Sequence, residues 1–152
     1  MLIRHFVHES RIPDIQKSGI IQLEGTFFPA LGLPGNPAYE QGMCDRGKLP
    51  RLVWFTTAND CKTADGTGKI ISVHPFVRKH FTTLFAYECD SNDINAIPWI
   101  KYKRKFIYSK KTWKTINMLD GGSRFGGDDP DDYYVCEGSV DLSKCKLVTI
   151  TK

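Results

Sequence analysis

Several familiar patterns are missing from this chain of 152 residues, and each absence removes a class of protein. No run approaches the roughly 18 consecutive apolar residues that a bilayer-spanning helix needs. The opening Met1-Leu2-Ile3-Arg4-His5 lacks the apolar core of a signal peptide, so a cytoplasmic protein with no membrane partner is expected. The five cysteines (Cys44, Cys61, Cys89, Cys136 and Cys145) form no C-x-x-C pair. Their odd number and wide spacing suit reduced thiols better than a disulfide framework or a zinc site. Ser72, Ser109 and Cys136 stand in no G-x-S-x-G or similar signature, which disfavours hydrolysis through a serine or cysteine nucleophile.

Metal-ligand spacing is missing as well. His74 and His80, with Pro75 between them, join no Cys or Asp at ligand spacing. His5 and His8 are three apart, so on a strand they point to opposite faces. Asp128, Asp129, Asp131 and Asp132 lack the alternating carboxylates and the bidentate Glu of a calcium-binding loop. No metal is expected.

What is present fits an ordinary globular domain: 41% hydrophobic, 25% charged and 12% aromatic residues. The length suits a single domain over residues 1–152, built on one core and holding one site. The net charge of +4 is unevenly spread. Lys101, Lys103, Arg104, Lys105, Lys110, Lys111 and Lys114 fall in one region, and Asp120, Asp128, Asp129, Asp131 and Asp132 crowd the next.

Local patterns predict a strand over residues 2–7, a short helix over 12–17 with Ser10 as its cap and Pro13 in its first turn, and a stop at Gly19. A second strand is expected over 20–23. Residues 24–50, rich in Gly and Pro, read as a long irregular connection. The run Leu52-Val53-Trp54-Phe55-Thr56-Thr57 reads as a buried strand whose hydroxyl end reaches a site. Further strands are expected over 69–73 and 82–89, the latter with Leu84, Ala86 and Glu88 on one face and Phe85 and Tyr87 on the other. Ser109 is placed as the cap of a helix to about Leu119. Residues 121–130 read as a flexible loop, and two last strands cover 133–139 and 146–151. Short helices among many short strands, without βαβ alternation, indicate an α+β domain on an antiparallel or mixed sheet.

His5 on the first strand, Thr56 and Thr57 ending a middle strand, and Glu137 on a late strand after a Gly-rich loop come in an order that resembles the ADP-ribosyltransferase superfamily. The segments Arg4-His5-Phe6-Val7-His8, Ile12-Pro13-Asp14-Ile15 and Gly19-Ile20 are similar to the opening of the DarT-type DNA ADP-ribosyltransferases and related small bacterial and phage proteins. Val53-Trp54-Phe55-Thr56-Thr57 looks like that family's middle strand. The resemblance implies an ADP-ribosyltransferase-like split sheet with short helices. It also implies NAD as substrate, with ADP-ribose transferred to an acceptor that the sequence does not identify.

NAD carries a pyrophosphate, two riboses and a cationic ring, so its site needs donors, an aromatic platform and an anion. Arg4 and His5 can donate to ribose or phosphate, and Thr56 and Thr57 through their hydroxyls. Trp54, Phe55, Tyr133 or Tyr134 can face the cationic ring. Cleaving the ribose–nicotinamide bond develops positive charge on the sugar, which a carboxylate stabilises; Glu137 is the candidate. With His5 it makes the expected catalytic pair. The family often has Glu or Gln two residues before its catalytic Glu, where this chain has Val135. Placing Tyr133 or Tyr134 at the acidic position aligns Gly138-Ser139-Val140-Asp141-Leu142 equally well, and leaves a module of the same fold that binds without turnover.

Each residue also has a plainer reading: His5 as a strand residue bonded to backbone, Trp54 and Phe55 as core, Thr56 and Thr57 as ordinary β-formers. The segment 99–108 interleaves Lys101, Lys103, Arg104 and Lys105 with aromatics, as single-stranded nucleic-acid binders do, or else forms an exposed strand with a charged edge. A nucleic-acid partner through Lys103, Arg104 and Lys105 is thus a third reading.

Overall fold

The computed structural model describes residues 1–7, 9–22, 45–57, 83–125 and 129–151. His8, Cys44, Cys61, Ser72, His74, His80, Asp128, the expected strand over 69–73 and most of the long connection after residue 23 lie outside the described residues.

The chain forms an α+β domain on an antiparallel sheet. Strands β1 (Leu2–Val7), β3 (Val53–Thr56), β4 (Thr83–Asp90), β5 (Ile97–Pro98), β6 (Tyr133–Cys136) and β8 (Lys146–Thr151) make a six-stranded sheet in the order β5-β6-β3-β1-β4-β8. Each neighbouring pair runs antiparallel. A separate two-stranded sheet joins β2 (Ile20–Ile21) to β7 (Val140–Asp141). Three helices complete the described elements that bear on the site: α1 (Ile12–Ser18), α2 (Trp99–Tyr102) and α3 (Lys110–Phe125).

Alternation along the strands sorts the core into two layers. On one face, Trp54, Tyr133 and Val135 pack with Trp99 and Tyr102 of α2, Ile116 of α3, and Leu49 and Leu52. On the other, Ile3, Val7, Val53, Phe55, Tyr87, Cys89 and Cys136 pack with Ile15 of α1, Ile21 of β2 and Val140 of β7. The sheet therefore lies between α2 and α3 on one side and α1 with the small sheet on the other. Burying one large apolar side chain contributes roughly 1.5–3 kcal/mol, and central β1 and β3 bury such residues on both faces.

α1 forms where its sequence signals place it. Pro13 sits in its first turn, and Gly19 ends it at φ 72°, donating its N–H to the Ile15 carbonyl at 2.9 Å. The cap position falls on Arg11 rather than on residue 10: residues 9–11 form a 3-10 turn, and Arg11 precedes the helix without a side-chain cap.

Two segments differ from expectation. Residues 99–106 are helical rather than an exposed edge strand. Trp99 and Tyr102, three apart, are buried on one side, and Phe106 packs against the same cluster. Helix α3 also continues through Gly121 and Gly122 to Phe125, where composition indicates a loop. Buried Asp120 near its end accepts hydrogen bonds from Trp99 Nε1 at 2.9 Å and Lys103 Nζ at 2.8 Å, which ties this part of the helix to α2 and the 3-10 turn after it.

Candidate functional site

The register of the sheet decides which candidate residues meet. Arg4 pairs with Thr56 and with Glu88, Thr56 pairs with Tyr133, and Glu88 pairs with Lys146. Lys146, Glu88, Arg4, Thr56 and Tyr133 thus form one row across five strands, on the face that carries α2 and α3. Within it Arg4 Nε and Nη2 each reach Glu88 Oε2 at 2.7 Å, with both side chains largely buried. Thr56 and Tyr133 are buried beside them. Thr57 follows the end of β3, where its backbone N–H donates to the Asp132 carbonyl at 2.9 Å.

Glu88 is the member that sequence reasoning placed on a face but did not assign to a site. The missed signal was a charge inside an otherwise apolar strand, matched by Arg4 in the same position of its neighbour. Directly opposed charges on antiparallel strands attract, and a carboxylate held by two guanidinium nitrogens is strongly positioned.

His5 lies on the opposite face. It is 6% exposed, its ring stands 5.7 Å from that of Phe55, and its Nδ1 lies 2.7 Å from the Trp54 carbonyl oxygen. A carbonyl only accepts, so Nδ1 carries the proton and donates. Burial pushes the imidazole pKa down to about 4 against the opposing effect of that bond, with a smaller contribution from Arg11. His5 is therefore neutral near pH 7, with Nε2 as an acceptor, where the sequence suggested a donor to ribose or phosphate. Tyr134 shares this face, half-buried at the core margin.

Glu137 falls on the helical side, away from His5. It follows β6, its side chain is 60% exposed, and its Oε1 meets Lys105 Nζ at 2.7 Å. Lys105 in turn stands 3.8 Å over the Tyr102 ring. The hydrogen bond from Lys105 holds the Glu137 carboxyl below its ordinary range, with Tyr102 adding to it. The structure thus does not bring His5 and Glu137 together. Trp54 and Tyr133 contact each other edge-on at 6.0 Å, and Trp54 lies 4.8 Å from Trp99, inside the core.

The basic segment is partly neutralised. Lys103 is bound to Asp120 and Lys105 to Glu137, while Lys101, Arg104, Lys110, Lys111 and Lys114 are exposed. At the start of α3 an open groove of about 460 Å³ is lined by Ile107, Lys110, Trp113, Lys114, Asn117 and Met118. Beside it Tyr108 is exposed. No acidic residue occurs between residues 99 and 119.

Among the described residues no group of three or more His, Cys, Asp or Glu is placed to hold a metal ion, and no helix is long and apolar enough to cross a membrane. No family model, curated protein or solved structure matches the chain.

Proposed function

We propose that the protein is an ADP-ribosyltransferase-like module that binds NAD against the Arg4–Thr56 row, with Glu88 rather than Glu137 as the carboxylate of the site. The observation that supports this reading is the convergence of Arg4, Thr56 and Tyr133, three of the residues expected to hold the dinucleotide, in one row with an unanticipated carboxylate. Arg4 brings guanidinium donors, two of which already hold Glu88 and which a pyrophosphate would share, and Thr56 and Thr57 bring hydroxyls suited to ribose. A carboxylate beside the ribose would stabilise positive charge as the bond to nicotinamide breaks. Glu137, turned outward onto Lys105, is poorly placed for that task.

The test combines NAD-dependent thermal shift with transfer of labelled ADP-ribose to cell extract and oligonucleotides. Arg4→Gln should abolish the shift, Glu88→Gln should keep its fold by circular dichroism but lose transfer, and Glu137→Gln should retain both. Binding without transfer in the unaltered protein would leave the binding module of the same fold. Absence of both shift and transfer would refute the NAD reading.

The groove beside α3 favours a second reading, a single-stranded nucleic-acid binder. Lysines set around a half-buried Trp113, with Tyr108 exposed nearby, suit phosphates and stacked bases. Binding to a labelled oligonucleotide should weaken as salt rises, and Lys110→Ala with Lys114→Ala should reduce the slope of log affinity against log salt by about one per lost phosphate contact. Salt-insensitive binding, or none, would rule it out.

A further inference from the structure

The face of the sheet opposite the Arg4–Thr56 row holds a feature with no part in either reading. Cys89 lies on β4, buried at 5% exposure. The β4–β8 register pairs Tyr87 with Leu147 and Glu88 with Lys146, and one further step sets Cys89 opposite Cys145. Directly opposed residues of antiparallel strands have Cα atoms about 4.5–5.5 Å apart. That lies inside the span of about 4.4–6.8 Å that a disulfide bridges.

The two thiols are close enough for each to shift the other's titration. The neighbouring Cys145 and burial push the Cys89 thiol up, and the neighbouring Cys89 holds the Cys145 thiol below its ordinary range against the opposing effect of burial, while Cys145 Sγ donates to the Asp141 carbonyl at 3.9 Å. Cys145 is also the more accessible of the two, packed at the margin of the cluster rather than within it. Cys136 differs: its Sγ meets the Ile94 carbonyl at 3.5 Å, and burial pushes its thiol up to about 12. Tyr87, two residues before Cys89 on the same face, places its hydroxyl in this region, and among the described residues it is a buried side-chain polar atom with no hydrogen-bond partner. It is a ready donor to an oxygen borne on a neighbouring sulfur.

We propose that Cys145 and Cys89 form a reversible thiol–disulfide pair oxidised by hydroperoxides, with Cys145 as the attacking thiol and Cys89 as the resolving one. The Cys145 thiolate attacks the terminal peroxide oxygen. An S–O bond forms, the O–O bond breaks, and the leaving alkoxide or hydroxide takes up the proton released from Cys145. Cys89 then attacks the sulfenic sulfur. The S–S bond forms, the S–O bond breaks, and the departing hydroxide leaves as water with the Cys89 proton. The thiol pair loses two electrons and the peroxide gains them; an external dithiol reverses the change. The bridge would fasten β8 to β4 covalently.

Reduced protein treated with hydrogen peroxide, alkylated and mapped without reductant should yield a Cys89–Cys145 linked peptide that dithiothreitol removes. Cys89→Ser should let dimedone trap Cys145 as the sulfenic acid. Cys145→Ser should lose the link and leave Cys89 unlabelled at the same peroxide dose. Cys136→Ser should leave the link intact, and the oxidised protein should melt at a higher temperature than the reduced one. A link through Cys44, Cys61 or Cys136 instead, dimedone labelling of Cys89 ahead of Cys145, or no link in protein whose circular dichroism stays native would overturn the proposal.

Discussion

At the scale of single residues, His5 couples stability to pH. Its imidazole is neutral in the folded protein because burial holds the pKa at about 4, below the ordinary 6.5. Between those values the unfolded chain binds a proton that the folded chain refuses. The contribution is therefore complete above about pH 6.5, is lost as pH falls, and stops changing below about pH 4, amounting to on the order of 3 kcal/mol. Urea unfolding at pH 7 and pH 4.5 measures it: the loss should be smaller in His5→Gln, which has no titrating group at this position. An equal loss in both proteins would assign the effect to carboxylates. Asp120 makes a second case. It is 2% exposed and receives hydrogen bonds from Trp99 and Lys103, so Asp120→Ala leaves a largely buried ammonium and an indole N–H without their acceptor. Breaking a buried pair in this way costs about 3–5 kcal/mol, readable as a lower urea midpoint.

Elements are held by close approach as much as by area. A Cβ placed on Gly47 would overlap the side chain of Thr115 on α3, including its Cβ, so neither partner can yield cheaply. Gly47→Ala should cost roughly 1–3 kcal/mol by thermal or chemical unfolding. Adding Thr115→Ala should recover part of that loss, because the two substitutions act on one contact. The same scale shows what could be read from the chain beforehand. β1 and α1 were legible because the apolar residues on either side of Arg4 and His5, Pro13 and Gly19 all act within a few residues. The helix after Pro98 carried its signal in the spacing of Trp99, Tyr102 and Phe106, but the intervening lysines and aromatics fit an edge strand equally well by composition. The continuation of α3 through Gly121 and Gly122 was not legible, since it coincides with the contacts of Asp120 to residues about twenty positions earlier. The site divides in the same way. Arg4 and Thr56 were visible as polar groups within apolar strands, whereas the partnership with Glu88 depends on a strand register set by distant turns. That register also separates His5 from Glu137, which their order along the chain does not reveal.

For the molecule as a whole, two core layers share one sheet, and the central strand β3 takes part in both while its neighbour β1 buries Ile3 and Val7 in one and Phe6 on the other face. Native-state hydrogen exchange should accordingly be slowest at the amides of β1 and β3, flanked by strands on each side and covered on each face. The short β2–β7 pair should exchange fastest among the strands. Uniform protection across both sheets would show that they open together as one cooperative unit. No matched relative supplies a ligand by analogy, so the NAD and nucleic-acid readings rest on this chain's own side chains.

The position of β1 has a consequence for synthesis. It precedes its partner β4, which lies at residues 83–90, so one hydrogen-bonding edge of an apolar strand stays open until the chain between them has emerged from the ribosome. Such an edge invites pairing with other nascent chains. Arg4, set among Leu2, Ile3, Phe6 and Val7, is the charge that interrupts this segment until Glu88 arrives to receive it.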